Sequence, residues 1–387
     1  MTRTLKNIKG DKVLWVVVII LSIFSLLAVY SSTGTLAYKK QGGNTEYYLL
    51  KHFIIMIFGF VLMYLTHKIK YQYFSRISQL AMVVSIILLV MTLIFGSSIN
   101  DASRSLTLPV INLTFQSSDF AKLALIMYTA RVLSKKQDQI KDFKTAFLPI
   151  MWPILLICAL ILPENFSTAA MLFATCLVLM FIGRVNLRYI MSLVGSGVLI
   201  LVIVIGIVYF TKPDKGRILT WKNRIEHFVN GDDGEEGYQV EQAKIAIATG
   251  GVFGKMPGKS TQRNFLPHPY SDFIYAIIIE EYGLFGGILL VLLYLIILFR
   301  GTRIVVKSPG NFGAFLAIGV SFSLVFQAMI NMAVAVNLFP VTGQPLPLVS
   351  MGGTSMWFTS IAIGIILSVS REIENPQPNP ENATVTA

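Results

Sequence analysis

The chain has 387 residues, of which 54% are hydrophobic and 13% charged, with a net charge of +12. Apolar runs recur from end to end, which excludes a soluble globular fold and marks a polytopic helical membrane protein. Such proteins gather Lys and Arg in cytoplasmic loops, so the positive charge carries no signal for nucleic-acid binding.

A basic segment with Arg3, Lys6, Lys9 and Lys12 leads into the first apolar run. That run is about twenty residues long, the length of a bilayer span. No small-residue cleavage site follows, so it reads as an uncleaved anchor. Ten spans are predicted, near 13–32, 49–67, 77–96, 119–133, 148–162, 166–183, 188–210, 273–299, 311–336 and 355–370. The expected fold class is therefore an all-α polytopic membrane protein with about ten transmembrane helices. A long extracytoplasmic loop, about 211–272, lies between helices 7 and 8. Residues 1–372 form one transmembrane domain, and residues 373–387, rich in Pro and Asn, a disordered cytoplasmic tail. Lys and Arg of the short loops concentrate on one side, at Lys68, Lys70, Arg76, Arg131, Lys135, Arg184, Arg188, Arg300 and Arg303. This puts both termini in the cytoplasm and the long loop outside.

Cys158 and Cys176 fall inside apolar runs and read as small buried hydrophobes. His52, His67, His227 and His268 lack metal-ligand spacing. Within the long loop, Val240 to Ile247 has the spacing of a short amphipathic helix, and Gly250 to Gly254 marks a sharp turn. Asn337 to Thr354 carries three prolines and Gly352-Gly353, a non-helical stretch on the same face.

Charged residues cluster at the span ends expected outside. Asp119 and Lys122 share a helix face, either as a stabilising ion pair or as part of a site. Arg104 precedes them and Glu164 lies between the fifth and sixth spans. Arg217, Lys222 and Arg224 open the long loop, where a solvated loop face is the competing reading. The sharpest feature is Leu266-Pro267-His268-Pro269-Tyr270-Ser271-Asp272-Phe273, which sets Asp272 at the mouth of the eighth span. A charge near hydrocarbon is costly unless hydrated or paired, so a functional Asp272 competes with a plain helix N-cap. Glu280, two turns deeper, reads as catalytic or as a structural pairing partner. A carboxylate among cations suits a substrate with phosphates and a reacting hydroxyl. The cations hold an anionic leaving group and the carboxylate removes a proton from the nucleophile. The chain has no nucleotide loop, zinc motif or Ser-His-Asp arrangement.

Five stretches carry a resemblance. Ser117-Ser118-Asp119-Phe120-Ala121-Lys122-Leu123 is similar to P-S-E-F-A-K, and Pro163-Glu164-Asn165-Phe166-Ser167-Thr168-Ala169 to P-D-F-G-T-A. Gly237-Tyr238-Gln239 with Gly250, Gly251 and Gly254 is similar to G-Y-Q…S-G-G-x-x-G. Leu266 to Gly283 is similar to L-P-E-x-H-T-D-F-I-F-A…E-E-x-G, and Gly343 to Ser355 to G-x-x-L-P-x-x-S-x-G-G-S-S. On these motifs the chain resembles the SEDS family (shape, elongation, division and sporulation) over nearly its whole length, and the division type more than the elongation type.

The resemblance implies a peptidoglycan glycosyltransferase. It implies polymerisation of lipid II into β-1,4-linked glycan at the outer face of the inner (plasma) membrane during cell division, with release of undecaprenyl pyrophosphate. The implied partners are a cognate class B penicillin-binding protein and other divisome proteins, at the division septum. Asp272 matches the family's essential aspartate, and Lys122, Arg104 and Glu281 match polar positions of the same cavity. Asp119, Glu164, Arg217, Gln239, Glu280 and Ser350 complete the expected substrate-binding set. The chemistry admits a divalent cation, Mg or Mn, and no metal-ligand set demands one. The chain departs from the family pattern with Asp119 for Glu, Glu164 for Asp, Ser167 for Gly, and His268-Pro269-Tyr270-Ser271 for Glu-x-His-Thr. The rival readings are a lipid II flippase and a non-catalytic divisome scaffold. Ten spans and buried charges fit a transporter too, but the charges gather on one face and no inverted repeat is visible.

Overall fold

A computed structural model of the chain describes residues 9–95, 97–99, 102–108, 113–211 and 235–374. Its helices run in order α1 (Lys12–Ser32), a short α2 (Gly34–Gln41), α3 (Thr45–Lys68), α4 (Tyr71–Phe95), α5 (Ser117–Lys135) and α6 (Leu148–Ile161). They continue with α7 (Phe166–Ile182), α8 (Leu187–Thr211), α9 (Glu235–Gly250), α10 (Ile274–Lys307), α11 (Asn311–Ala335) and α12 (Gly353–Glu374). Each of the ten predicted spans is one of these helices. Among the described residues seven are long and apolar enough by themselves to cross a membrane, and Phe166–Ile182 and Leu187–Leu199 are shorter apolar helices.

The all-α class holds with one addition that the sequence reading lacked. Strands β1 (Ser97–Ile99), β2 (Ala102–Leu108) and β3 (Leu113–Phe115) form an antiparallel meander between α4 and α5, with Ser98 opposite Ser103 and Leu106 opposite Phe115. Such short strands, in a connection of Ser, Thr and Leu, are overshadowed by the apolar runs on either side. The helix foreseen at Val240 to Ile247 is longer, Glu235–Gly250. Residues 375–387 of the expected tail lie outside the described residues; α12 continues to Glu374.

α10 shows why these segments are membrane spans. Leu290, Leu293, Tyr294 and Ile297 are buried against neighbouring helices, while Leu284, Phe285, Ile288, Leu292 and Leu295 are exposed. A helix that is apolar on both faces suits lipid outside and protein inside. With 34 residues it is about 50 Å long, more than a bilayer needs. It is broken at Gly283, whose φ of 69° and ψ of −171° no helix contains.

The two ends of the described chain, near Gly10 and Glu374, meet at one end of the bundle. The Gly10 amide donates to the Glu374 carboxylate (2.8 Å), and Arg371 Nη1 donates to the Lys68 carbonyl (2.9 Å). Asp11 caps α1 by accepting from Val13 and Leu14 amides, and pairs with Arg300 of α10 at 2.5 Å. At the opposite end lie the α9–α10 connection and residues 336–352, hereafter the loop end.

Candidate active site

At the loop end, residues 270–273 lead into α10 against the segment 344–351. The Met351 amide donates to the Tyr270 carbonyl (2.9 Å), Ser350 Oγ to the Ser271 carbonyl (2.6 Å), and Asn331 Nδ2 to the Asp272 carbonyl (2.9 Å). Asn331 also donates to the Gln344 carbonyl (2.7 Å), and Gln344 Nε2 donates to Thr168 Oγ1 of α7 (2.8 Å). The segment 346–349 is a tight turn, closed by the Val349 amide on the Leu346 carbonyl (3.1 Å). Pro347 and then Leu348, at φ 64°, give it type II geometry with Leu where Gly is usual. A leucine held there stores strain of about 1–3 kcal/mol, which persists only where surroundings over-determine it. The Ser350 hydroxyl, accepting from the Leu346 amide (2.8 Å), is part of that restraint, as is Tyr294, whose hydroxyl donates to the Pro347 carbonyl.

The main chain of Asp272 is thus fixed, but its carboxylate is not consumed. The side chain is half-buried and, among the described residues, accepts one bond, from Ser271 Oγ (2.7 Å). Beside it, burial first, then Tyr48 and Asp272, push the Tyr270 phenol pKa up.

α11 links this frame to a second group. Gln327 stands one turn from Asn331 and so on the same face. Gln327 Oε1 accepts from Lys122 Nζ (3.1 Å), while its Nε2 donates to the Pro345 carbonyl (2.9 Å). Lys122 also pairs with Asp119 at 2.7 Å, as the three-residue spacing foresaw. Asp119 is 5% exposed, and its Oδ2 has no hydrogen-bond partner among the described residues. These groups lie at the polar rim of an open cleft between α5, α11 and α12. Its further walls are mainly apolar, with Leu123, Ile126, Val320 and Leu324, and also carry the hydroxyls of Ser323, Ser355 and Thr359. The arrangement suits a ligand with a charged head and a hydrocarbon tail.

Glu280 and Glu281 are built differently. Glu280 is fully buried and saturated, accepting from Lys255 Nζ (2.7 Å), Thr261 N (3.1 Å), Thr261 Oγ1 (2.9 Å), Gln262 N (3.3 Å) and the Ser260 hydroxyl. Glu281, 1% exposed, accepts from the Ser31 hydroxyl of α1 and the Ser260 amide (3.3 Å). Arg263 ties the same loop to the Ser31 carbonyl (2.9 Å). The break at Gly283 is covered by the loop after α9. The amides of Lys255 and Met256 donate to the carbonyls of Glu280 (2.8 Å) and Glu281 (3.0 Å), and the Leu284 amide donates to Gly251 (2.9 Å). A Cβ on Gly283 would lie 2.1 Å from the Val252 oxygen, and one on Gly254 2.3 Å from the Glu281 oxygen, so the spaced glycines serve a backbone crossing. Among the described residues, the bonds of these two carboxylates run to Ser31 and to residues 255–262 and hold that segment in place.

Glu164 is buried at the head of α7, next to Asn165, which caps that helix by accepting from the Thr168 amide. Gln239 is half-buried on α9. Arg104 lies on β2 with its side chain outside the described residues, and Arg217 lies outside them altogether. Gln327, Asn331, Gln344 and Thr168 were missed. For Gln327 and Asn331 the signal was available: uncharged amides inside an otherwise apolar span are costly and rarely idle. No group of three or more His, Cys, Asp or Glu that could hold a metal ion exists among the described residues.

Comparison with known proteins agrees in extent. A family profile described as cell cycle protein (FtsW, RodA, SpoVE) matches residues 11–375. A probable peptidoglycan glycosyltransferase FtsW of Trichlorobacter lovleyi is 35% identical, covering 93% of each chain. Stage V sporulation protein E of Bacillus subtilis is 32% identical over 95% of this chain and 99% of its own. Among solved structures, the rod shape determining protein RodA of Thermus thermophilus superposes with a TM-score of 0.69 at 22% identity, covering 96% of this chain and all of that one. A chain from a peptidoglycan synthase complex reaches 0.71, covering 95% and 99%.

Proposed function

This chain belongs to the FtsW, RodA and SpoVE family of cell cycle proteins, and on that premise we propose how its residues carry out peptidoglycan glycosyl transfer. The chain is a multi-pass membrane glycosyltransferase that polymerises lipid II. Both termini lie in the cytoplasm and the loop end faces outward, an orientation supported by the basic short loops and by the meeting of Gly10 with Glu374. The enzyme works at the division septum of the plasma membrane with a class B penicillin-binding protein, and the α9–α10 connection is the natural docking and ordering element.

Asp272 is the general base. It takes the proton from the 4-hydroxyl of the acceptor sugar as that oxygen attacks the anomeric carbon of the donor. The carbon–oxygen bond to the pyrophosphate breaks, undecaprenyl pyrophosphate leaves, and inversion gives the β-1,4 link. Lys122 has three N–H donors; Asp119 and Gln327 take two, and the third is left for a pyrophosphate oxygen. Arg104 and Arg217 are assigned to the same phosphates on charge alone. The apolar walls of the cleft receive the start of the isoprenoid tail. No step is routed through a metal ion.

The observation that carries this reading is the contrast within Asp272: a main chain fixed by Asn331 and its neighbours, and a half-exposed carboxylate with one bond of its own. The test is polymerisation of lipid II by the purified protein with its class B partner, with products resolved on a gel. Long glycan from wild type and none from Asp272→Asn is expected. Retained polymer in that variant sinks the mechanism. No polymer from either, with partner bound, favours the flippase or scaffold.

A further inference from the structure

Behind the turn that frames Asp272, inside the bundle, stands a polar pair that no step above uses. Ser25 of α1 and His52 of α3 are both fully buried. Ser25 Oγ lies 2.7 Å from His52 Nε2 and 2.9 Å from the Val349 carbonyl oxygen. A serine hydroxyl has one proton, and a carbonyl only accepts. Both contacts are satisfied in one way: Ser25 donates to Val349, and His52 donates its Nε2–H to Ser25. The imidazole is therefore the Nε2–H tautomer, and Nδ1 has no hydrogen-bond partner among the described residues.

An imidazole and a hydroxyl inside an apolar bundle are costly, and this pair delivers one bond to one carbonyl. That carbonyl belongs to the strained turn. Leu348, at φ 64°, is its neighbour on one side, and on the other Ser350 donates to the Ser271 carbonyl at 2.6 Å. Ser271 Oγ in turn donates to Asp272 Oδ1 at 2.7 Å. A line of restraint thus runs from α3 through α1 and the turn to the carboxylate. It is independent of Asn331, which holds the Asp272 main chain from α11. We infer that His52 and Ser25 are positioning residues for Asp272: by anchoring Val349 they set the turn that aims Ser271, and with it the carboxylate.

The inference rests on the reading of Asp272 as the base, and the test separates the two. Initial rates over a range of lipid II concentration, together with thermal unfolding, are measured for the full chain with its class B partner. The variants are Ser25→Ala, His52→Leu, His52→Gln and Asp272→Asn. Misaiming a base lowers the rate of the chemical step rather than substrate affinity. Ser25→Ala and His52→Leu are expected to lower kcat roughly ten- to a hundredfold with KM within about twofold of wild type. His52→Gln, whose amide nitrogen reaches the Nε2 position, is expected to keep kcat within about threefold. Wild-type kcat with a lowered melting temperature in Ser25→Ala overturns the inference and leaves a packing role. So does a folded His52→Gln as slow as His52→Leu. Should His52→Leu fail to fold, Ser25→Ala, which removes a single oxygen, decides alone. Retained activity in Asp272→Asn overturns the mechanism itself. An inactive Asp272→Asn beside a wild-type Ser25→Ala overturns only the positioning role.

Discussion

Asp272 and the Glu280–Glu281 pair sit in one short stretch of chain at the same end of the bundle, and they are used in opposite ways. Around Asp272 the hydrogen bonds go to the backbone, through Asn331, Ser350 and Met351, and the carboxylate keeps one donor and partial exposure. Around Glu280 they go to the carboxylate, which is fully buried and takes Lys255, Ser260, Thr261 and Gln262 at once. A carboxylate whose lone pairs are all engaged cannot accept a proton from a substrate without losing those bonds. One whose backbone is held and whose carboxylate takes a single described donor can. The sequence motif, which contains both, does not separate the two; the destination of the hydrogen bonds does.

The comparison breaks most visibly if each acid is removed in turn. Asp272→Asn keeps size and the Ser271 contact, so a loss of roughly 10²- to 10⁴-fold in polymerisation rate with an unchanged melting temperature is expected. Glu280→Ala should do the reverse in kind. It strands the Lys255 ammonium and the Thr261 and Gln262 amides, a loss of about 3 kcal/mol, at the lower end for a broken buried pair because Lys255 is 30% exposed and can rehydrate. The signatures are a lowered melting temperature and faster proteolysis between residues 255 and 265. A stable but inactive Glu280→Ala protein would return Glu280 to the catalytic set.

The sequence made the ten helices and Asp272 legible for one physical reason: apolar length and an acid at a span mouth are both local signals. The Asp119–Lys122 pair was legible too, because three residues on a helix fix a shared face. What escaped was everything assembled across helices. Asn331 and Gln327 matter through partners at 272, 344 and 122, separations that no periodicity reveals. A charge in a span makes Glu280 and Glu281 conspicuous, whereas the loop groups that bond to them are invisible until the fold closes over Gly283. The meander escaped because two of its strands, β1 and β3, are only three residues long and show no alternation.

A milder test of the same contrast lies at Lys122, whose ammonium is shared between a structural duty to Asp119 and Gln327 and the proposed one to phosphate. Lys122→Gln keeps a donor for Asp119 and removes the cation. Losing one charge-assisted bond is worth about 1.5 kcal/mol, so a rise of roughly tenfold in KM for lipid II with kcat within about threefold is expected from steady-state rates. An unchanged KM would confine Lys122 to the ion pair.

The smallest effect is expected from a carboxylate of a third kind, at the end of the bundle away from the cleft. Asp142 is fully exposed and caps the turn Phe143–Phe147, accepting from Thr145 Oγ1 (2.6 Å) and the Thr145 amide (3.0 Å). These bonds, the side-chain one first, hold its pKa below the ordinary aspartate value. A depressed carboxylate stabilises the folded form above the unfolded pKa of about 4 and loses that contribution as the pH falls through the lower folded value. Hydrogen exchange at the Thr145 amide should therefore be slower in wild type than in Asp142→Ala at neutral pH. The two should converge only once the pH has fallen below the ordinary aspartate value and the cap protonates. Polymerisation at neutral pH should be the same in both. A difference that persists at low pH would show that the cap acts through its shape rather than its charge.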